Sequence, residues 1–220
     1  MLAKELITDE VPPLRVTDTA QKALNWMDEF KVSHLPVVKG VEYCGLISDD
    51  EIVDFNDPEA TIDKILNKAS LPCVQEDQFI FDVIKLASEL NLTVLPVLDK
   101  NQNYIGNIPS LHLLKKISEI SGIKDTGSII ILELNMRDYS LSEISRIVEG
   151  NDCKIVSSYV MTHPDSTKMD VTIKINKIEI SSVIQTFLRY NYVIKASFND
   201  NSLEEDLQDR YEGLMKFLDI

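Results

Sequence analysis

The chain has few basic residues and no long apolar run. Its 220 residues contain 22 Lys and Arg against 36 Asp and Glu, a net charge of −14 at pH 7. Nucleic-acid binding draws most of its affinity from cationic contacts with phosphates, so this charge argues against DNA, RNA and anionic membranes as partners. No window approaches the roughly 20 apolar residues that span a bilayer, and the N-terminus carries acids where a signal peptide needs an apolar stretch. We therefore expect a soluble, cytoplasmic protein.

Residues that carry metal and nucleophile chemistry are also scarce. Cys44, Cys73 and Cys153 are widely separated and show no metal-ligand spacing, so we expect small core thiols in a reducing compartment. The three histidines are too scattered to suggest a nucleophile, base and acid acting together. A glycine-rich phosphate loop and a paired-cysteine motif are both missing. The sequence therefore predicts neither an enzyme nor a metal site.

An internal repeat organises the first half of the chain. Leu35-Pro-Val-Val38 recurs 60 residues later as Leu95-Pro-Val-Leu98. At the same offset, two apolar stripes with the spacing of an amphipathic helix precede these strands. The stripes consist of Ala20, Ala23, Leu24 and Met27, and of Ile80, Val83, Ile84 and Ala87. Such agreement at several positions indicates two copies of one fold unit.

The repeat extends on both sides of the Leu-Pro-Val strand. Tyr43-Cys-Gly-Leu-Ile-Ser48 matches Tyr104-Ile-Gly-Asn-Ile-Pro109 at an offset of 61, with the extra residue in the turn before the second segment. The turns favour a hairpin, and a second helix follows in each copy. The opening segments Ala3–Leu6 and Asp63–Leu66 also correspond. We expect the two copies to pack face to face with a crevice between them.

These features resemble a tandem pair of CBS domains, over about residues 1–120, with the copies at about 1–58 and 59–120. The resemblance implies a regulatory module that binds AMP, ATP or S-adenosylmethionine in clefts between the repeats. An adenine ring needs flat apolar walls, and the strand residues Val37, Val97, Ile47 and Ile108 are candidates. The alternative is that these four side chains are ordinary core residues.

In the family, a Ser/Thr-x-x-Asp motif after the last strand binds ribose and phosphate. The first copy has Ser48-Asp-Asp-Glu51, with Asp50 next to the longer carboxylate of Glu51. The second copy has Pro109-Ser-Leu-His112 and lacks both motif residues, with His112 in place of the aspartate. His34 is a candidate phosphate contact, and a surface or core role is its alternative. The module as a whole is either a nucleotide sensor or a ligand-free dimerisation scaffold.

The second half has a different pattern, which begins after the glycine-punctuated linker Ser121–Gly127. Its apolar periodicity predicts strand, helix, strand, strand, helix and strand over residues 127–200, a ferredoxin-like order. Ser140-x-x-Glu143 is a capping box at the start of the first of these helices. The order and the Arg137-Asp138 turn resemble an ACT domain, a family that often binds amino acids at a dimer interface. Tyr139-Ser140 stands where that family places a glycine, which favours a pairing interface without a ligand.

The tail, residues 201–220, predicts a C-terminal amphipathic helix. Its apolar stripe has helical spacing and consists of Leu203, Leu207, Tyr211, Leu214 and Leu218. The predicted fold class is thus α+β: a CBS-domain pair, a ferredoxin-like (ACT-like) βαββαβ domain and a C-terminal helix. The whole arrangement resembles the acetoin-utilisation regulator type of bacterial CBS protein. We expect a non-enzymatic regulatory homodimer.

Overall fold

The computed structural model describes residues 1–67, 71–164 and 166–199. The chain divides into two compact units, Met1–Ile117 and Ser118–Ile220. Among the helices of the described residues, none has the length and apolar character needed to cross a membrane. The helix predicted for residues 201–220 lies outside the described residues.

The first unit contains two copies of one strand–helix–strand–strand–helix arrangement. The first copy consists of β1 (Leu14–Arg15), α1 (Ala20–Phe30), β2 (His34–Lys39), β3 (Glu42–Ser48) and α2 (Asp49–Phe55). The second, which the short helix α3 (Ile62–Ile65) precedes, consists of β4 (Val74–Gln75), α4 (Ile80–Glu89), β5 (Val94–Leu98), β6 (Tyr104–Pro109) and α5 (Ser110–Ile120). In each copy the middle strand pairs parallel with the short first strand and antiparallel with the last. The predicted repeat is confirmed.

Apolar spacing accounts for the first helix of each copy. Ala20, Ala23 and Met27 are buried on one face of α1, as Ile80 and Val83 are on α4. Burying such a stripe supplies most of the stability of a helix this short, because an isolated helix of about 11 residues is marginal in water.

The segment that opens each copy packs into the core of the other copy. Ala3 and Leu6 are fully buried in the core that surrounds β5. Ile62 and Leu66 are buried in the core that surrounds β2. The two copies are therefore consecutive in sequence but interleaved in space, and separating them would expose both cores to water.

A glycine in the last strand of each copy makes room for the exchanged segment. Gly45 and Gly106 both have positive φ, 151° and 149°. A Cβ on Gly45 would lie 3.0 Å from Cδ1 of Leu66, and a Cβ on Gly106 would overlap Cγ2 of Ile7. The recurrent glycine thus has a packing reason, which is the close approach of a side chain from the other copy.

The second unit is a four-stranded antiparallel sheet with two helices on one face. Its elements are β7 (Ser128–Asn135), α6 (Leu141–Glu149), β8 (Ile155–Thr162), β9 (Lys168–Ile175), α7 (Ser181–Arg189) and β10 (Val193–Asn199). The strand order β10-β7-β9-β8 is the ferredoxin-like one. Alternate residues of β7, namely Ile130, Leu132 and Leu134, are buried in the core with residues of both helices. The predicted fold class is confirmed, as is the cap of α6, where Ser140 Oγ accepts from Glu143 N at 3.3 Å.

Candidate ligand cleft

The two copies of the first unit meet at the starts of β2 and β5. The backbone N–H of Ser33 donates to Thr93 Oγ1 at 2.9 Å, and His34 Nδ1 lies 3.0 Å from the same oxygen. The backbone N–H of Thr93 also points to His34 Nδ1, at 3.4 Å. Nδ1 therefore acts as an acceptor, which places the proton of the neutral ring on Nε2. Thr93 is thus bonded to both residues that lead into β2.

Burial favours the neutral form of His34. Burial lowers the pKa of His34 below its usual range, because desolvation disfavours the charged ring. The carboxylates of Asp49, Glu51 and Asp50 oppose this effect without reversing it. A neutral imidazole binds phosphate as a hydrogen-bonding group and not as a counter-ion, and the phosphate contact of His34 stays a prediction.

Thr93 also lines a cleft of about 610 Å³, which we call the Thr93 cleft. Its volume is in the range of small-molecule sites. One wall comes from the end of α1 and the residues after it, and another from the start of α5. The lining residues are Glu10, Val11, Phe30, Lys31, Val32, Thr93, Pro109, Ser110, Leu111 and Leu114. The cleft therefore draws on both copies of the repeat.

A buried asparagine holds one wall of the Thr93 cleft. Asn107 is 1% exposed, and its Nδ2 donates to the carbonyl of Val11 at 2.7 Å and to Tyr104 Oη at 2.8 Å. The backbone carbonyl of Asn107 accepts from Thr8 N at 3.1 Å. Because Leu46 occupies the equivalent position of the first copy, this polar anchor is not a requirement of the fold.

A hydroxyl is present at the start of α5, although the motif position before it is Pro109. Ser110 Oγ donates to the carbonyl of Leu92 at 2.5 Å, and Ser110 N donates to the carbonyl of Thr93 at 2.9 Å. The lone pairs of Ser110 Oγ remain available as acceptors. His112 lies on α5 between the lining residues Leu111 and Leu114, but it is half-buried and is not part of the cleft wall.

In the first copy, the predicted motif residues cap a helix. Ser48 Oγ accepts from Glu51 N at 3.2 Å, while Glu51 Oε2 accepts from Ser48 N at 2.9 Å. This reciprocal pair is a capping box at the start of α2. Asp50 is exposed beside it. The carboxylate expected to bind ribose thus has a structural partner, and its use by a ligand stays a prediction.

The four predicted adenine walls lie in the protein interior. Val37 and Ile47 are 0% exposed in the core around β2, and Val97 and Ile108 are 0% exposed in the core around β5. A ligand cannot contact a side chain that has no accessible surface. The burial of these four side chains therefore agrees with the alternative interpretation, in which they are core residues. The accessible apolar walls are Val32 and Leu111 instead.

The second unit has a cleft of about 290 Å³ beside the turn that resembles the ACT ligand region. Three of its lining residues are acidic, namely Glu133, Asp138 and Glu143. Tyr192 Oη donates to Glu143 Oε2 at 3.0 Å, and burial together with this carboxylate raises the pKa of Tyr192 to about 12. The lining presents acceptors and negative charge.

Among the described residues, no group of His, Cys, Asp and Glu side chains is placed to hold a metal ion. Asp170 instead takes part in an ionic cluster on β9, where its Oδ2 accepts from Lys195 Nζ at 2.5 Å and lies 3.2 Å from His163 Nε2. The hydrogen bond from Lys195 lowers the pKa of Asp170. This cluster ties β9 to β10 within the sheet and its loop.

Comparison with known proteins identifies the repeated half. The family model for the CBS domain matches residues 3–56 and 59–119, more than half of the chain. The chain is 30% identical over 112 residues to a homoserine O-acetyltransferase of Methanosphaera stadtmanae, a match that covers 50% of this chain and 23% of that protein. It is 25% identical over 149 residues to an inosine-5′-monophosphate dehydrogenase of Methanocaldococcus jannaschii, covering 67% and 30%. The chain thus spans less than a third of either protein.

Among solved structures, a CBS domain pair/ACT domain protein from Thermotoga maritima matches with 22% identity and a TM-score of 0.48. That match covers 54% of this chain and 98% of the other. The two segments that match the CBS family model, residues 3–56 and 59–119, coincide with the two copies that interleave in the first unit. The chain belongs to the CBS-domain family.

Proposed function

We propose that this protein is a non-enzymatic regulator that binds an adenosyl ligand in the Thr93 cleft. The observation that carries the proposal is the double role of Thr93. Its side chain lines the cleft and also accepts a hydrogen bond from the other copy of the repeat. A ligand that bonds to Thr93 would change the energy of the junction between the copies. By linkage, a ligand that favours one packing of the copies shifts the protein toward it.

The charges around the Thr93 cleft favour a ligand with little negative charge. Its lining contains one cation, Lys31, and one acid, Glu10. Lys31 is already paired with Asp28 at 2.7 Å. A triphosphate would bring about four negative charges to a cleft that offers no net positive charge. We therefore rank S-adenosylmethionine and AMP above ATP.

Calorimetric titration and thermal shift with S-adenosylmethionine, AMP, ATP and adenosine test the proposal. A ligand at 100 times its Kd should add about 2.7 kcal/mol to the free energy of unfolding. The Thr93→Val variant removes the hydroxyl, and we expect an affinity about 3- to 10-fold weaker, the effect of one hydrogen bond. Thr126→Val makes the same change at an exposed linker position and should bind like the unmodified chain. Absence of binding by all four compounds, or equal affinity of the two variants, would contradict the proposal.

The alternative function, a ligand-free dimerisation scaffold, is favoured by exposed apolar side chains on α2 and α5. Val53, Leu111 and Leu114 are 62%, 64% and 65% exposed. Leu111 and Leu114 lie three residues apart on one face of α5, and exposed apolar patches are typical of protein interfaces. We propose that they pair with a second copy of the chain, and that the Leu111→Asp/Leu114→Asp variant sediments as a monomer. An unmodified chain that is monomeric at micromolar concentration would exclude the homodimer.

For the second unit we propose a pairing role without an amino-acid ligand. The lining of its cleft includes the carboxylates of Glu133, Asp138 and Glu143 but no cation that could hold the carboxylate that every amino acid carries. The order of the domains resembles the acetoin-utilisation regulator type, and we propose a comparable regulatory role. Binding of any free amino acid in the same calorimetric experiment would contradict the pairing role alone.

A further inference from the structure

A second cleft lies at the hairpin end of the first copy, and its lining shares no residue with the Thr93 cleft. It measures about 940 Å³ and is bounded by the β1 segment, the exposed side of α1 and the β2 hairpin. Its lining residues are Pro12, Pro13, Arg15, Val16, Thr17, Asp18, Lys22, Trp26, Val38, Lys39 and Gly40. We call it the Trp26 cleft. Three of these residues are cations and one is an acid, although the chain as a whole carries a net charge of −14.

Contacts with neighbouring side chains fix the position of one of the three cations, Lys22. Lys22 Nζ lies 2.7 Å from Asp18 Oδ1 and 4.3 Å from the centre of the Trp26 ring, so its position is fixed by an ion pair and a cation–π contact. Arg15 lies opposite Val38 in the parallel pairing of β1 and β2, and Lys39 is the next residue after Val38.

The side chains of Arg15 and Lys39 have no close partner among the described residues. Both residues are exposed, and neither side chain forms an ion pair or hydrogen bond with another described residue. Burial tends to raise the pKa of Asp18, but Lys22 and, to a smaller extent, the backbone N–H and guanidinium of Arg15 lower it below its usual range. Two cations without close partners therefore face the same opening as an anchored third.

The second copy is an internal control for this arrangement. Because both copies fold alike, side chains that the fold requires should recur at the offset of 60. The positions that correspond to Arg15, Lys22, Trp26 and Lys39 are Gln75, Asp82, Leu86 and Asp99. All three cations and the indole are thus specific to the first copy.

The backbone turn at the same place does recur. The Asp18 carboxylate accepts from Arg15 N at 2.8 Å, and Gln78 Oε1 accepts from Gln75 N at 2.7 Å. In the second copy, Asp99 stabilises the longer hairpin turn, because its Oδ1 accepts a hydrogen bond from Asn103 N at 2.8 Å. The fold therefore explains the turn and Asp99, and it leaves Arg15 and Lys39 without a structural role.

We propose that the Trp26 cleft is a binding site for a small phosphorylated molecule, with Arg15, Lys22 and Lys39 holding its phosphate and the indole edge contacting the rest. A guanidinium presents paired donors that match phosphate oxygens, and ammonium groups supply further charge-assisted hydrogen bonds. The indole edge of Trp26 and the rings of Pro12 and Pro13 offer apolar surface for a ring-shaped moiety beside the phosphate. The protein would then respond to two ligands at separate sites.

Trp26 is the single tryptophan of the chain, so fluorescence excited at the indole band reports directly on this cleft. The probe is inorganic pyrophosphate, which does not absorb there, titrated at fixed ionic strength because exposed charges are screened by salt. We expect saturable quenching or a shift of the emission. Phenyl phosphate and phenol, measured by calorimetry, then compare a ring with and without phosphate, and the phosphorylated compound should bind more tightly.

The Arg15→Gln/Lys39→Asp variant gives the first copy the residues of the second and should weaken pyrophosphate binding at least about tenfold. Lys85→Gln/Lys100→Asp changes the net charge by the same amount at exposed positions of the second copy and should leave binding unchanged. Equal binding by both variants, or no saturable response of the unmodified chain to millimolar pyrophosphate, overturns the proposal. Adenosine binding in the Thr93 cleft should be equal in both variants, so the two proposals fail independently.

Discussion

Because the two copies exchange their opening segments, we expect a mutation in the opening segment of one copy to destabilise the other copy. Leu6 stands at the start of the first copy, yet its fully buried side chain belongs to the core of the second. Replacing a fully buried leucine by alanine removes three carbons and leaves a cavity, which costs about 2–5 kcal/mol of unfolding free energy. We therefore expect Leu6→Ala to destabilise the first unit by that amount, with the damage centred on β5 and β6.

Urea unfolding measures the loss of stability, and amide hydrogen exchange locates it. In Leu6→Ala, protection should fall first in residues 94–109, whereas Leu66→Ala should lower protection first in residues 34–48. Leu90→Ala is the matched control, because this leucine is 49% exposed, lies outside the Thr93 cleft and the proposed dimer surface, and its loss should change the unfolding free energy by less than about 0.5 kcal/mol. The exchange of segments would be refuted if Leu6→Ala loosened residues 14–55 and left β5 and β6 protected.

Three further predictions follow from single residues. Asn107→Leu introduces the residue that the first copy has at this position. It should weaken ligand binding in the Thr93 cleft while changing the melting temperature little, because the wall residue Val11 loses its anchor. An adenosyl affinity equal to that of the unmodified chain, measured by calorimetry, would contradict this. The pKa of His34 is lower in the folded chain than in the unfolded chain, so the unfolded chain binds a proton at this histidine at a higher pH. The unfolding free energy should therefore fall as the pH drops below about 6.5. In a His34→Gln variant, this part of the pH dependence of unfolding should be missing. Gly127→Ala should destabilise the second unit by about 1–3 kcal/mol, because its Cβ would overlap the backbone carbonyl of Ile175, and an unchanged urea midpoint would rule this out.

The sequence was informative wherever structure follows from local periodicity. The stripes through Ala20 and Ile80 predicted α1 and α4, because burial on one face of a helix recurs every three to four residues. The strand and helix order of the second half likewise specified its sheet, since few topologies satisfy that order with short connections. These features need no information about distant residues.

Contacts between distant residues were not predictable in this way. The hydrogen bond from Ser33 N to Thr93 Oγ1 joins residues that are 60 positions apart, and no local pattern encodes it. The strand β5 is buried throughout, so its apolar run gave no sign of which face a ligand would contact. For the same reason Val97 was as consistent with a cleft wall as with the core position that it occupies.

The Ser48-x-x-Glu51 pattern shows a different limit. A hydroxyl followed three residues later by a carboxylate is both a variant of the family's ligand motif and a helix capping box. The sequence alone does not separate these uses, because the same side chains serve both. The geometry shows the cap, with Ser48 and Glu51 bonded to each other's backbone N–H groups.

A crystal structure of the chain grown with S-adenosylmethionine or AMP tests the central claim most directly. The account predicts ligand density between Val32 and Ser110, with a ligand atom within hydrogen-bond distance of Thr93 Oγ1. Density at another place, or an empty Thr93 cleft under saturating ligand, would contradict it.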